Sequence, residues 1–167
     1  MITYQLDQNL HDRSFASDCE KTKLANVWLF PKKLRHAPDE TILPIFMRGD
    51  HPLVTMDRLI ASAHPFAIPD KNPGIVIVGF ALGHFKTVTT KDVRMILSQF
   101  KRSFPEWSQT SIAGSILELT PETIEVSHID NHRIHRDADL KFDDTEWISV
   151  LKLVLAKNAK RSQRLLE

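Results

Sequence analysis

The segment Gly74-Ile-Val-Ile-Val-Gly-Phe-Ala-Leu82 constrains the fold more than any other stretch of the chain. In an extended strand, successive side chains point to opposite faces. Ile75, Ile77 and Ala81 therefore share one face, and Val76, Val78, Phe80 and Leu82 share the other. A strand that is apolar on both faces belongs inside a sheet that is covered on both sides. Gly79 in its middle marks a bulge or the close approach of another group. The run is far short of the ~20 residues that a membrane helix needs, so no membrane partner is expected.

Capping signals place the helices around this strand. Thr89-x-x-Asp92 has capping-box spacing and predicts a helix from Thr90 to about Ser103, with Val93, Ile96, Leu97 and Phe100 on its inner stripe. Asp143-x-x-Glu146 predicts a last helix whose apolar face carries Trp147, Ile148, Leu151, Val154 and Leu155, widened by Val150 and Leu153. Ser17-x-x-Glu20 has the same spacing and predicts one or two further turns. Thr55 is expected to cap a short helix from Met56 to Ala63, which must end before Pro65.

The remaining elements read as strands: Met1 to Leu6, Ala25 to Phe30, Thr41 to Arg48, Ser111 to Leu119 and Thr123 to about Asp130. Pro44 cannot donate to a ladder, which puts the third of these at an edge or a bulge. The last two form a hairpin across Thr120-Pro121-Glu122. These elements predict an α+β fold in a single domain over residues 1–167. Its sheet is mixed or antiparallel, with about five strands and three main helices. A parallel doubly wound sheet would need more helices than these. Residues 161–167 read as a basic tail or an extension of the last helix.

Composition narrows the function classes. Twenty-two Lys and Arg against 21 Asp and Glu leave a net charge of +1 in 167 residues, which argues against a wholly basic nucleic-acid surface. Cys19 is the one cysteine, so neither a disulfide framework nor a thiolate metal cage is expected, and a reducing, cytoplasmic compartment is the simple inference. Asp7, His11, Asp12 and Arg13 near the start interrupt any apolar leader. As a lone cysteine, Cys19 reads as a small buried hydrophobe.

Three stretches carry candidate chemistry. If the strand from Thr123 continues, His128, Asp130 and His132 share one face, with His135 close behind. Imidazoles with a carboxylate suit Zn or Mn, and an open position would supply hydrolytic chemistry. The bland reading is a solvated hairpin end. The loop Gly83 to Thr90 joins the central strand to a helix N-terminus, and its hydroxyls, free N–H groups and Lys86 are what a phosphate would want. Ordinary capping by Thr89 explains most of that pattern.

A dispersed basic set completes the candidates: Lys32, Lys33, Arg35 and His36, then Lys86, Lys91, Arg94, Lys101, Arg102, Arg133 and Arg136. Interspersed aromatics such as Trp28 and Trp107 would stack on bases if exposed. Asp70, Glu118 and Glu125 form a nuclease-like carboxylate set on paper but lack the E-x-K element. In the last helix, the apolar stripe continues to Leu165 and Leu166, which points its distal part, with Leu153, at a partner protein or a second copy. On that view, truncation after Asn158 leaves the fold intact. The reading favoured by sequence is a non-enzymatic binding or assembly module, docking on nucleic acid or a protein partner. The alternative is a small metal-dependent hydrolase or nuclease built on the cluster at 128–137.

Overall fold

The computed structural model describes residues 3–7, 13–22, 26–28, 37–81 and 87–164. Among them the chain runs β1 (Thr3–Leu6), α1 (Arg13–Lys21), β2 (Asn26–Trp28), α2 (Asp39–Phe46), β3 (Leu53–Thr55), α3 (Ile60–Ala63), β4 (Ile75–Val78), α4 (Thr90–Ser103), β5 (Ile116–Leu119), β6 (Thr123–Asp130), β7 (Arg133–Lys141) and α5 (Trp147–Arg164). The fold is α+β, on one mixed sheet of order β2-β1-β3-β4-β5-β6-β7.

The sheet has seven strands rather than about five. Its parallel part, β2, β1, β3, β4 and β5, is larger than the sequence revealed. β6 and β7 add an antiparallel hairpin on the β5 edge. The doubly wound arrangement discounted from sequence is present in that parallel part, with α1 and α4 packed on one face of the sheet and α2 and α3 on the other. α2 lies where the strand Thr41 to Arg48 was expected. Ile42, Leu43, Phe46 and Met47 are buried while Ile45 is exposed, a spacing only a helix provides. Pro44 costs this helix one ladder bond.

β4 holds the central position its composition demands: Ile75, Val76, Ile77 and Val78 are all buried. Two cores flank the sheet. On one face, Tyr4, Leu6, Val54, Val76, Val78, Leu117, Leu119, Ile124 and Val126 meet α1, α4 and α5. On the other face, Leu53, Ile75, Ile77, Ile116 and Ile129 meet α2 and α3. The capping box of α4 forms as expected, with both reciprocal bonds between Thr89 and Asp92. That of Ser17 does not, because Ser17 and Glu20 lie inside α1. α5 begins at Trp147 after a turn in which the Asp144 carboxylate accepts from Glu146 N. No helix among the described residues is long and apolar enough to cross a membrane.

The distal half of α5 packs on its own domain. Its buried positions run Trp147, Leu151, Leu155, Asn158 and Ser162, so the stripe continues but turns polar. Gly114, at φ +74°, lies beneath it, and a Cβ there would sit 3.0 Å from the Asn158 carbonyl oxygen. Truncation after Asn158 would therefore remove a buried contact, contrary to the sequence expectation. Leu153 is exposed, and Leu165 and Leu166 lie outside the described residues.

Candidate functional site at the carboxyl ends of the strands

In the order β2-β1-β3-β4-β5 the winding reverses between β1 and β3, and in open sheets of this kind ligands collect beyond the strand carboxyl ends at that reversal. Asp7 directly follows β1, and Thr55 ends β3. The parallel register Leu6↔Val54 brings the two side by side although 48 residues separate them. Thr55 Oγ1 donates to Asp7 Oδ2 at 2.6 Å and accepts from Asp57 N at 2.9 Å. Asp57 in turn accepts from Leu59 N at 3.0 Å. Asp7 and Thr55 are both buried. A carboxylate held this deep is worth keeping there only if its hydrogen bonds are good.

Thr55 therefore serves the strand end rather than capping a helix, and α3 has no side-chain cap. Arg58 crosses the crest and donates to the Phe80 carbonyl beyond β4. Beside it, Met56, Arg58, Gly79, Phe80, Val88, Glu118 and Thr120 line a cavity of about 170 Å³. Glu118 and Glu125 are direct cross-strand partners, and Arg136 approaches Glu125 at 3.2 Å. Burial, and then the charge of Glu125, push the Glu118 carboxyl above the ordinary glutamate range. A second and larger cleft, about 520 Å³, opens at the opposite ends of the strands, with Arg48, Lys71 and Gln163 on its walls.

The His/Asp cluster divides. Asp130 ends β6 opposite Arg133, and His132 sits in the two-residue turn with φ +61°, its ring stacked 4.8 Å from Phe66. Neither shares a site with His128. His128 instead points to the α5 side, where its Nδ1 lies 2.9 and 2.8 Å from the two oxygens of Asp137. Asn158 Nδ2 donates to the same carboxylate at 3.0 Å and to Ser115 Oγ at 3.1 Å. A bulge makes this possible: Val126 pairs with Ala138 but Ser127 with Arg136, so Asp137 is the extra residue and shares the face of Ala138. Among the described residues, no three His, Cys, Asp or Glu side chains form a ready metal cage.

The other candidates scatter as well. Lys91 is exposed in the first turn of α4, Arg94 is ion-paired with Asp18 of α1, and Lys101 and Arg102 lie in the last turn. Arg133 is at the foot of β7, and Arg136 is exposed near the middle. Lys32, Lys33, Arg35, His36, the Gly83 to Lys86 part of the loop and the side chain of Trp28 lie outside the described residues. Trp107 is buried, its indole donating to Tyr4 Oη. Asp70 is at the hairpin tip, where Asn131 N donates to it, far along the strands from the Glu118–Glu125 pair. Burial pushes the Cys19 thiol up to about 11, which leaves it unreactive at neutral pH.

Sequence reasoning missed Asp7, Thr55, Asp57 and Arg58. Their signal was a polar residue at or just past the end of each of two short strands, Thr3–Leu6 and Leu53–Thr55. The fold and this crest define a mixed α+β protein with a polar site at the carboxyl ends of a doubly wound sheet. No family model, no curated protein and no solved structure matches the chain.

Proposed function

We propose that the protein is a divalent-cation-dependent hydrolase of phosphodiesters, working at the carboxyl crest rather than at the cluster 128–137. The observation that carries this reading is the buried Asp7–Thr55 pair at the winding reversal, to which the half-buried Asp57 is tied through its backbone N–H. Mg²⁺ and Mn²⁺ are hard ions that take one or two carboxylates and keep several waters, so a full protein cage is not required. Asp7 and Asp57 would hold such an ion, which lowers the pKa of its bound water and polarises the phosphoryl group.

The surrounding charges support a phosphate substrate. Arg58 is fixed by the Phe80 carbonyl at the mouth of the small cavity, and Lys91 opens α4 on the same side. The exposed cations of α4 would guide a polyanion toward the crest, which keeps the nucleic-acid part of the sequence reading. Labelled single-stranded RNA and DNA, incubated with the protein and Mg²⁺ or Mn²⁺, should be cut, and EDTA should stop the cutting. Asp7→Asn and Asp57→Asn should each lower the rate at least about 100-fold, the scale on which an essential electrostatic group acts, with unchanged circular dichroism. No cleavage of either polymer, or full activity in both variants, refutes the proposal.

A further inference from the structure

His128 and His135 are direct partners across β6 and β7, and their rings stack with centroids 5.1 Å apart and planes within 17°. Only the first is buried; its side chain is 10% exposed, while His135 stands at the surface. The two Asp137 oxygens flank His128 Nδ1, so Nδ1–H is the donor and the lone pair of the ring is left on Nε2. Among the described residues nothing hydrogen-bonds to that Nε2. Asp137 is itself locked, since Asn158 of α5 donates to it and to Ser115 Oγ.

We propose that this pair is a binding site for a borderline divalent ion, Zn²⁺, with His128 Nε2 and a ring nitrogen of His135 as ligands and water in the remaining positions. Three features point the same way. Imidazole nitrogen is the donor such ions prefer, at about 2.0–2.1 Å. Ligating histidines characteristically give their other N–H to a carboxylate, which fixes the tautomer and strengthens the donor; Asp137 does this here. Opposed residues of an antiparallel pair also have Cβ atoms about 4.5–5.5 Å apart, so two imidazoles can close on one ion once the exposed ring of His135 turns out of the stack. Neither cavity described above is lined by His128, which favours an ion over an organic substrate. Of the four residues read from sequence as ligands, this proposal retains His128 and His135.

The inference does not rest on the hydrolase reading, and the test separates the two. Uniformly ¹⁵N-labelled Asp7→Asn protein, in which the crest is disabled, is titrated with ZnCl₂ and followed by imidazole ¹H–¹⁵N spectra. The rings of His128 and His135 should shift together and saturate, and MgCl₂ should move neither. His135→Ala, a surface change that leaves the buried network in place, should weaken binding at least about tenfold, and Asp137→Asn about 10–100-fold. Rings that stay unmoved at millimolar Zn²⁺, or binding that is undiminished in His135→Ala, overturn the site.

Discussion

Replacing Gly114 by alanine tests whether the distal half of α5 belongs to this domain. The residue has φ +74°, a conformation that costs an L side chain roughly 1–2 kcal/mol. The new Cβ would also stand 3.0 Å from the Asn158 carbonyl oxygen and 3.1 Å from Ser162 Cβ. Neither atom is the loose end of a side chain, so relief requires α5 to lift, and overpacking of this kind costs about 1–3 kcal/mol. The sum, about 2–5 kcal/mol, should lower the melting temperature by about 5–15 °C in a domain of this size. Gly79→Ala is the control: its nearest neighbour would be Val88 Cγ2 at 3.5 Å, ordinary contact, and its φ lies outside the left-handed region. Thermal melts by circular dichroism, paired with urea unfolding by tryptophan fluorescence, give both numbers. A Gly114→Ala protein that melts within about 2 °C of the parent refutes the packing argument.

Three further outcomes follow from other contacts. Thr55→Val removes the hydroxyl that donates to Asp7 and accepts from Asp57 N, and should cost about 1.5–3 kcal/mol in urea unfolding; a smaller loss means the hub is solvated. Glu118→Gln has a pH signature. Because the folded carboxyl titrates above its unfolded value, its favourable contribution is full at low pH and is lost as pH rises through the folded pKa. The variant should therefore melt higher than the parent at pH 8 and alike at pH 4, and a pH-independent difference speaks against the buried-carboxyl account. Leu153→Ser, at a side chain 73% exposed, should leave the stability of the isolated protein within about 0.5 kcal/mol; a larger loss, or a drop in mass by light scattering, would place Leu153 in an interface.

Strong local signals made much of the fold legible. β4 announced itself through two apolar faces, α4 through a stripe and a reciprocal cap, and β6 through alternation after a turn. The failures have physical causes. β3 is three residues long, too short for a period to show. β7 is an edge strand whose residues are mostly exposed and charged, so it mimicked a loop. α2 was mistaken for a strand because Thr41, Ile42, Ile45 and Phe46 are β-branched or aromatic and Pro44 breaks the helical pattern. The crest was the least legible part. Asp7 and Thr55 meet only because two parallel strands pair in one particular register, and a single sequence holds no record of register between segments 48 residues apart.

The extra residue in β7 changes what a strand can encode. In an unbulged strand of these same residues, side chains of equal parity would share a face, and Arg136 would join Ala138 and Leu140 beneath α5 while His135 turned outward. Adding Asp137 shifts the phase by one position midway along the strand. The lower half of β7 then sends odd-numbered residues toward α5, and the upper half sends even-numbered ones. One strand thus carries two opposed alternations, joined at the point where the carboxylate meets Asn158. Deleting Asp137 would close the bulge and leave one regular alternation of the remaining residues. His135, Ala138 and Leu140 would still face α5 and Arg136 would still face away, so the deletion would remove the carboxylate that joins His128 to Asn158 and leave the faces of the strand unchanged.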